Sequence, residues 1–412
     1  MLSQFLATAF PEPVLVVYSY IWAFAPIWLP LFLSFVLARL WVQYVRARFI
    51  SSQEYVLLEL KVPREVLKTP AAMETIFAGL HNRSGESTFI ARLWEGKVRN
   101  WYSLELVSIE GQVHLFIWCR KAMQKIVENN FYAQFPDMEI VEADDYTRKV
   151  RFDLNELSVF GVDFVLTAPD PLPIKTYVDM GLTSKPDLEP EYVVDPLAHI
   201  LEFLGSAGPG EQIWMQILIR VNKPEKPVPG KPGQFMDWKQ QAKREIDKIR
   251  RNPENIRIEA DGSETRLLSK EQEDQIAAMQ RSITKLAYDT GIRGVYLAKK
   301  ENFNPTMIGG MVLTLKQFNS ETLNGFKPTR YLFKYDYPWQ DFGEYFQNRE
   351  RYRVFDAFRR RSWFYEPYKT PHFVLNTEEL ATIFHLPNSA VKTPTLERVP
   401  SAREGAPANL PL

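Results

Sequence analysis

Cysteine is almost missing from this 412-residue chain: Cys119 stands alone, which excludes an internal disulfide and agrees with a reducing compartment. Histidine is scarce. His81, His114, His199, His372 and His385 show neither H-x-x-H nor H-E-x-x-H spacing, so nothing points to a zinc centre. A phosphate-gripping G-x-x-x-x-G-K-[ST] loop is absent too. The nearest stretch, Gly205 to Gly210, lacks the lysine and follows a helical pattern, which reads as a helix end and turn. Cys119 and His114 fall on opposite faces of one strand pattern, which argues against a nucleophile–base pair. Fifty Lys and Arg balance 50 Asp and Glu, leaving no global field to draw in nucleic acid. These patterns lead us to expect no enzyme: no catalytic residue, cofactor, metal or small-molecule substrate is indicated.

Charge itself is missing from Pro13 to Ala38, a run of 26 residues, and no Lys or Arg precedes Arg39. At roughly 1.5 Å per residue such a run exceeds the ~30 Å hydrocarbon layer of a bilayer. Arg39, Arg46, Arg48, Lys61 and Arg64 crowd its far side. The positive-inside rule then predicts a single-pass anchor in the cytoplasmic (inner) membrane, N-terminus outside and the bulk of the chain cytoplasmic. Pro26 and Pro30 argue against one straight helix, so the span is expected nearer Ile27 to Val45, with residues 13–26 as a kinked or interfacial lead-in. Trp22, Trp28, Trp41 and Tyr44 would sit at the interfaces.

Beyond the anchor (1–50), residues 51–150 read as β-α-β-β-α-β. Tyr55–Val62 alternates, with Val56, Leu58, Leu60 and Val62 on one face. Thr69-Pro70 opens a helix burying Met73, Ile76, Phe77 and Leu80. Trp101–Ile109 and Gln112–Cys119 form a hairpin around Glu110-Gly111, and a helix from about Lys121 to Phe135 precedes the strand Met138–Glu142. The acidic Glu142, Asp144 and Asp145 that follow read as a solvated sheet edge.

Residues 151–337 repeat the order. Val162–Leu166, a helix after Asp195-Pro196, Gln212–Val221, Gly291–Ala298, a helix after Asn304-Pro305, and Arg330–Tyr335 are its elements. An insertion at 223–287 opens with the stiff KPEKPVPGKPG and continues as two helices, the second capped by Ser269 and Gln272. Residues 338–387 read as a helical, aromatic-rich extension, and 388–412 as a disordered proline-rich tail. The fold class expected is α+β: one N-terminal transmembrane helix, then two ferredoxin-like (βαββαβ) domains with a helical insertion and a helical C-terminal extension.

One local patch stands out. Arg349, Arg351, Arg353, Arg359, Arg360 and Arg361 interleave with Tyr352, Phe355 and Phe358, and Trp363 follows. Arginine with aromatics suits a protein interface, anionic headgroups, or phosphate contact with base stacking.

Several segments together carry a resemblance: VSIEGQVHLFIWCRKAMQKIVENNFYAQFPDMEI, DPLAHILEFLGSAGPGEQIWMQILIRV, FNSETLNGFKPTRY and FVLNTEELATIFHLP. They resemble the N-terminal, non-motor region of bacterial type IV secretion and conjugation coupling-like ATPases, and stand-alone membrane-anchored relatives of that region. The resemblance implies a membrane-proximal platform with no active-site residues to transfer. A P-loop motor would follow such a region, whereas this chain stops at Leu412, so the expected motor is another chain. The expected function is a non-catalytic scaffold of a membrane complex, with a P-loop ATPase or a second copy as partner. The rival expectation is a membrane-tethered nucleic-acid-binding protein using residues 349–365.

Overall fold

A computed structural model describes residues 17, 20–63, 66, 68–83, 85–86, 88–182, 195–227, 235–252, 256–258, 264–266, 268–329, 335, 337–388, 396 and 398–399. They fall into two compact units: residues 1–53 with 84–98, and residues 54–83 with 99–412.

The first unit is built on α1 (Ala25–Ser51), a helix long and apolar enough to cross a membrane. Its apolar side chains find no core: Leu31, Phe32, Leu33, Phe35 and Leu37 are all exposed. Pro26 sits in the first turn, where a missing N–H costs nothing. Pro30 lies inside, and the helix continues through it to Ser51; a turn at Phe24 separates this helix from the helical residues 20–23. Just past the middle of α1 the Trp41 indole donates to the Leu93 carbonyl of α3 (Phe89–Leu93) at 3.0 Å and tilts against Trp94.

The second unit is organised by one ten-stranded sheet. Its strands are β1 (Tyr55–Pro63), β2 (Trp101–Ile109), β3 (Gln112–Arg120), β4 (Glu139–Ala143), β5 (Leu157–Leu166), β6 (Glu211–Val221), β7 (Ala287–Lys299), β8 (Phe326–Pro328), β9 (Phe373–Asn376) and β10 (Arg398–Val399). Two antiparallel groups, β4-β1-β3-β2 and β8-β5-β7-β6, are joined edge to edge where β2 pairs with β6 over Trp101–Ile109. Glu110 and Gly111 both take positive φ, the geometry that closes a two-residue hairpin.

One face of the sheet carries the core. Leu58, Leu104, Ile117, Ile217 and Ile292 meet α2 (Ala71–Leu80), α4 (Gln124–Gln134), α5 (Ala198–Gly205), α8 (Pro305–Leu313) and α10 (Thr377–Ile383) through residues such as Phe77, Phe131, Leu201, Met311 and Leu380. Cys119 is buried here, its thiol pushed up to about 12 by burial and then by the nearby Glu128 charge. The insertion forms α6 (Trp238–Arg250) and α7 (Lys270–Ile283), the latter opening with the Ser269–Gln272 capping box.

The C-terminal part departs from an all-helical extension. After α9 (Tyr345–Arg359) the chain runs irregularly into β9, which pairs with Ala287–Thr290 of β7 beyond the end of β5. Phe373-Val374-Leu375, aromatic and β-branched in part, favours strand over helix, and all three residues are buried. Within the expected tail, Leu396 bridges to Val113 while Arg398 and Val399 pair in parallel with Val62 and Pro63. The strand expected at Arg330–Tyr335 falls mostly on residues outside those described; β8 closes that edge earlier.

Candidate functional site

The second face of the sheet is where charge collects, and strand alternation puts it there. Opposite the apolar Ile213, Met215 and Ile217, β6 presents Trp214, Gln216, Leu218 and Arg220. Register then lines up Phe116, Glu105, Gln216, Arg293 and Asp163 across five strands as successive partners. A second row runs Trp101, Arg220, Asp289, Val374. A sheet face of this polarity usually meets water. Here it is covered: Glu105, Gln216, Arg220, Asp289, Arg293 and Asp163 are all buried.

The cover is the Arg-rich segment. Gly161 and Gly291 are the two positions where a strand needs a glycine to admit it. A Cβ on Gly161 would lie 2.2 Å from Val354, and one on Gly291 would lie 2.1 Å from the Trp363 ring. Trp363 is buried, donates its indole N–H to the Pro371 carbonyl and lies beneath the Arg293 guanidinium at 4.8 Å.

Arg361 is the keystone. It is 2 % exposed, takes φ +49°, and its guanidinium donates to both oxygens of Glu105 (3.0 and 3.2 Å) and of Asp145 (2.6 and 3.1 Å). Glu105 also accepts from Ser103 (2.6 Å), Tyr146 (2.8 Å) and Gln216 (3.2 Å). Burial opposes ionisation of Asp145, but its bond to Arg361 and bonds from Thr147 prevail and hold its carboxyl below the usual range. Burial, then the Glu105 charge, pushes the Tyr146 hydroxyl well up. Burial works against the Arg361 charge, and Glu105 and Asp145 more than restore it, so Arg361 stays cationic.

The second row is equally closed. Asp289 accepts from Arg220 (2.6 Å) and Arg99 (3.2 Å), and both arginines also reach Glu225. Asp163 pairs with Arg293 at 2.8 Å. Glu225, Asp289 and His372 hold ligand-type atoms within 4.8 Å of one another, the one such group among the described residues. A cation entering there would face two guanidiniums already neutralising the carboxylates, which makes it a poor metal site.

The remaining residues of the patch lie at the rim of this cover. Arg359 and Arg360 are exposed and tied to Asp356 at 3.0 and 2.6 Å. Arg351 bonds Glu344 and Asn348, Arg353 faces Glu350 at 3.5 Å, and Arg349 is exposed. The structure thus separates Arg361 and Trp363, which face inward, from five arginines on α9 and its end. Glu105 and Arg293 escape a reading of sequence alone, because alternation places them on the second face and says nothing about what covers it; Asp145, in the turn after β4, reads only as part of a solvated edge. Upstream, Tyr337, Trp339, Phe342, Tyr345 and Phe346 are all exposed.

These features define an α+β protein with an apolar N-terminal helix and an antiparallel sheet whose charged face is sealed by its own C-terminal segment. The chain belongs to the family described as a domain of unknown function, DUF8128, whose model matches residues 50–398. No curated protein matches it.

Proposed function

We propose that the protein is a non-catalytic, membrane-anchored platform of two ferredoxin-like halves, part of a type IV secretion- or conjugation-like complex whose motor is another chain. The strand orders β4-β1-β3-β2 and β8-β5-β7-β6 support the two halves, each matching the order of a βαββαβ unit. The observation that carries the platform reading is the exposed aromatic run Tyr337, Trp339, Phe342, Tyr345 and Phe346, more large apolar surface than a solitary soluble unit exposes without a use. Aromatics of this kind anchor protein interfaces. A gentle-detergent pull-down should recover a P-loop ATPase or a second copy of the chain in near-stoichiometric amount. Recovery of the chain alone would overturn the partner.

The anchor is tested on its own. Leu33→Arg with Leu37→Arg places two charges in the apolar span at about 3 kcal/mol each, and should turn a carbonate-resistant membrane protein into one that washes off. The rival nucleic-acid reading rests on the exposed arginines, since Arg361 and Trp363 face inward. On the platform reading, Arg359→Ala with Arg360→Ala leaves any DNA affinity and its salt slope unchanged; a shallower slope would favour nucleic acid.

A further inference from the structure

We propose that the outward face of α6 binds the phosphate-bearing headgroups of anionic lipid at the bilayer from which the chain emerges. The reading rests on the anchor of the preceding section. Between Trp238 and Arg251 the chain carries Lys239, Lys243, Arg244, Lys248, Arg250 and Arg251 against Glu245 and Asp247. All six cationic residues are exposed. Lys248 pairs with Glu245 at 2.6 Å, and the other five take no ion pair among the described residues.

The helix has no apolar face left to insert into lipid. Trp238, Ala242 and Ile246 are buried, Ile246 against Ile276 and Met279 of α7. What remains outside is charge. Arg244, Lys248 and Arg251 share an open cleft of about 780 Å³ with Asp247, Gln272 and Gln275. This surface lies at a particular end of the sheet. Tyr55, where β1 begins three residues after α1, pairs with Arg120, and in the same row Trp101 pairs with Arg220 and Arg220 with Asp289. The insertion leaves the sheet at Val221 and returns at Ala287, so it springs from the end at which the chain arrives from α1. Only β3 and β2 separate β1 from β6, about 14 Å. A helix of 13 residues, roughly 20 Å long, laid beside a charged plane is a polybasic contact of the kind that anionic leaflets attract. Nucleic acid fits less well, because the one aromatic of α6, Trp238, is buried and unavailable for base stacking.

The test uses the full chain in nanodiscs with Gln240→Cys, an exposed position on α6, since Cys119 is buried and inert to bulky reagents. Modification by a PEG-maleimide should be at least about fivefold slower in discs of phosphatidylcholine with phosphatidylglycerol than in phosphatidylcholine alone. High salt should erase that difference, as should the charge reversal K243E/R244E/R250E/R251E. Equal rates in the two discs at low salt would overturn the proposal. So would slowing by a DNA oligonucleotide in neutral discs where anionic lipid has no effect. Failure of the anchor itself would appear separately, as loss of the protein in the carbonate wash.

Discussion

Replacing Glu105 with alanine should lower the free energy of unfolding by about 3–5 kcal/mol. The carboxylate is fully buried and accepts from Ser103, Tyr146, Gln216 and Arg361. Its removal leaves the Arg361 guanidinium with Asp145 and the Arg359 carbonyl, leaves Gln216 with the Phe358 carbonyl, and strands the Ser103 and Tyr146 hydroxyls in a space closed to water. Buried donors left without partners, two of the guanidinium's own N–H groups among them, cost far more than the bonds they lose were worth. Glu105→Gln keeps the shape and some of the hydrogen bonds, and should fall between. Urea unfolding in detergent reads both, as a lower midpoint with an unchanged slope. A loss below about 1 kcal/mol for the alanine variant would mean that Arg361 has another route to satisfaction and that the row is not what fixes the cover.

Gly291→Ala should also be damaging, by about 3 kcal/mol, although alanine favours a strand over glycine in most settings. The added Cβ would stand 2.1 Å from the Trp363 ring, which is itself held by the Pro371 carbonyl and the Arg293 guanidinium. The ring must leave or the strand must bow. The clash is specific to that partner, so Trp363→Leu, itself destabilising, should become less so in the Gly291→Ala background. A double-mutant cycle with coupling near zero would show that the tryptophan is not what the glycine accommodates.

These two residues mark where reading the chain by pattern stops. The apolar alternation of β1 and β6, the Glu110-Gly111 turn, the Ser269 cap and the apolar run now seen as α1 are local signals, and each reappears in the structure at nearly its expected place. The second face of the sheet is different. Gln216 and Arg220 alternate with Ile217 and Ile219 as a half-solvated strand would, and burial comes only from a segment about 140 residues later in the chain. For the same reason the arginines of that segment look like one exposed patch, although Arg361 turns inward through a left-handed residue that no periodicity marks. Asp145 reads as part of a solvated acidic edge until its partner arrives from the far end of the sequence. Short strands such as β9 and β10 are equally silent, being set by vacancies where longer strands part.

The position of β1 has a mechanical consequence. It is the first strand after α1, and neighbours flank it on both sides: β3 along Tyr55–Glu59, β4 along Leu57–Lys61, and β10 at Val62 and Pro63. In the antiparallel ladders to β3 and β4 the hydrogen bonds stand perpendicular to the strand. Tension applied through the N-terminal helix along β1 therefore loads those ladders together, in shear, instead of peeling them one at a time. A pull through α1 would thus reach the sheet at one of the strands best placed to resist it.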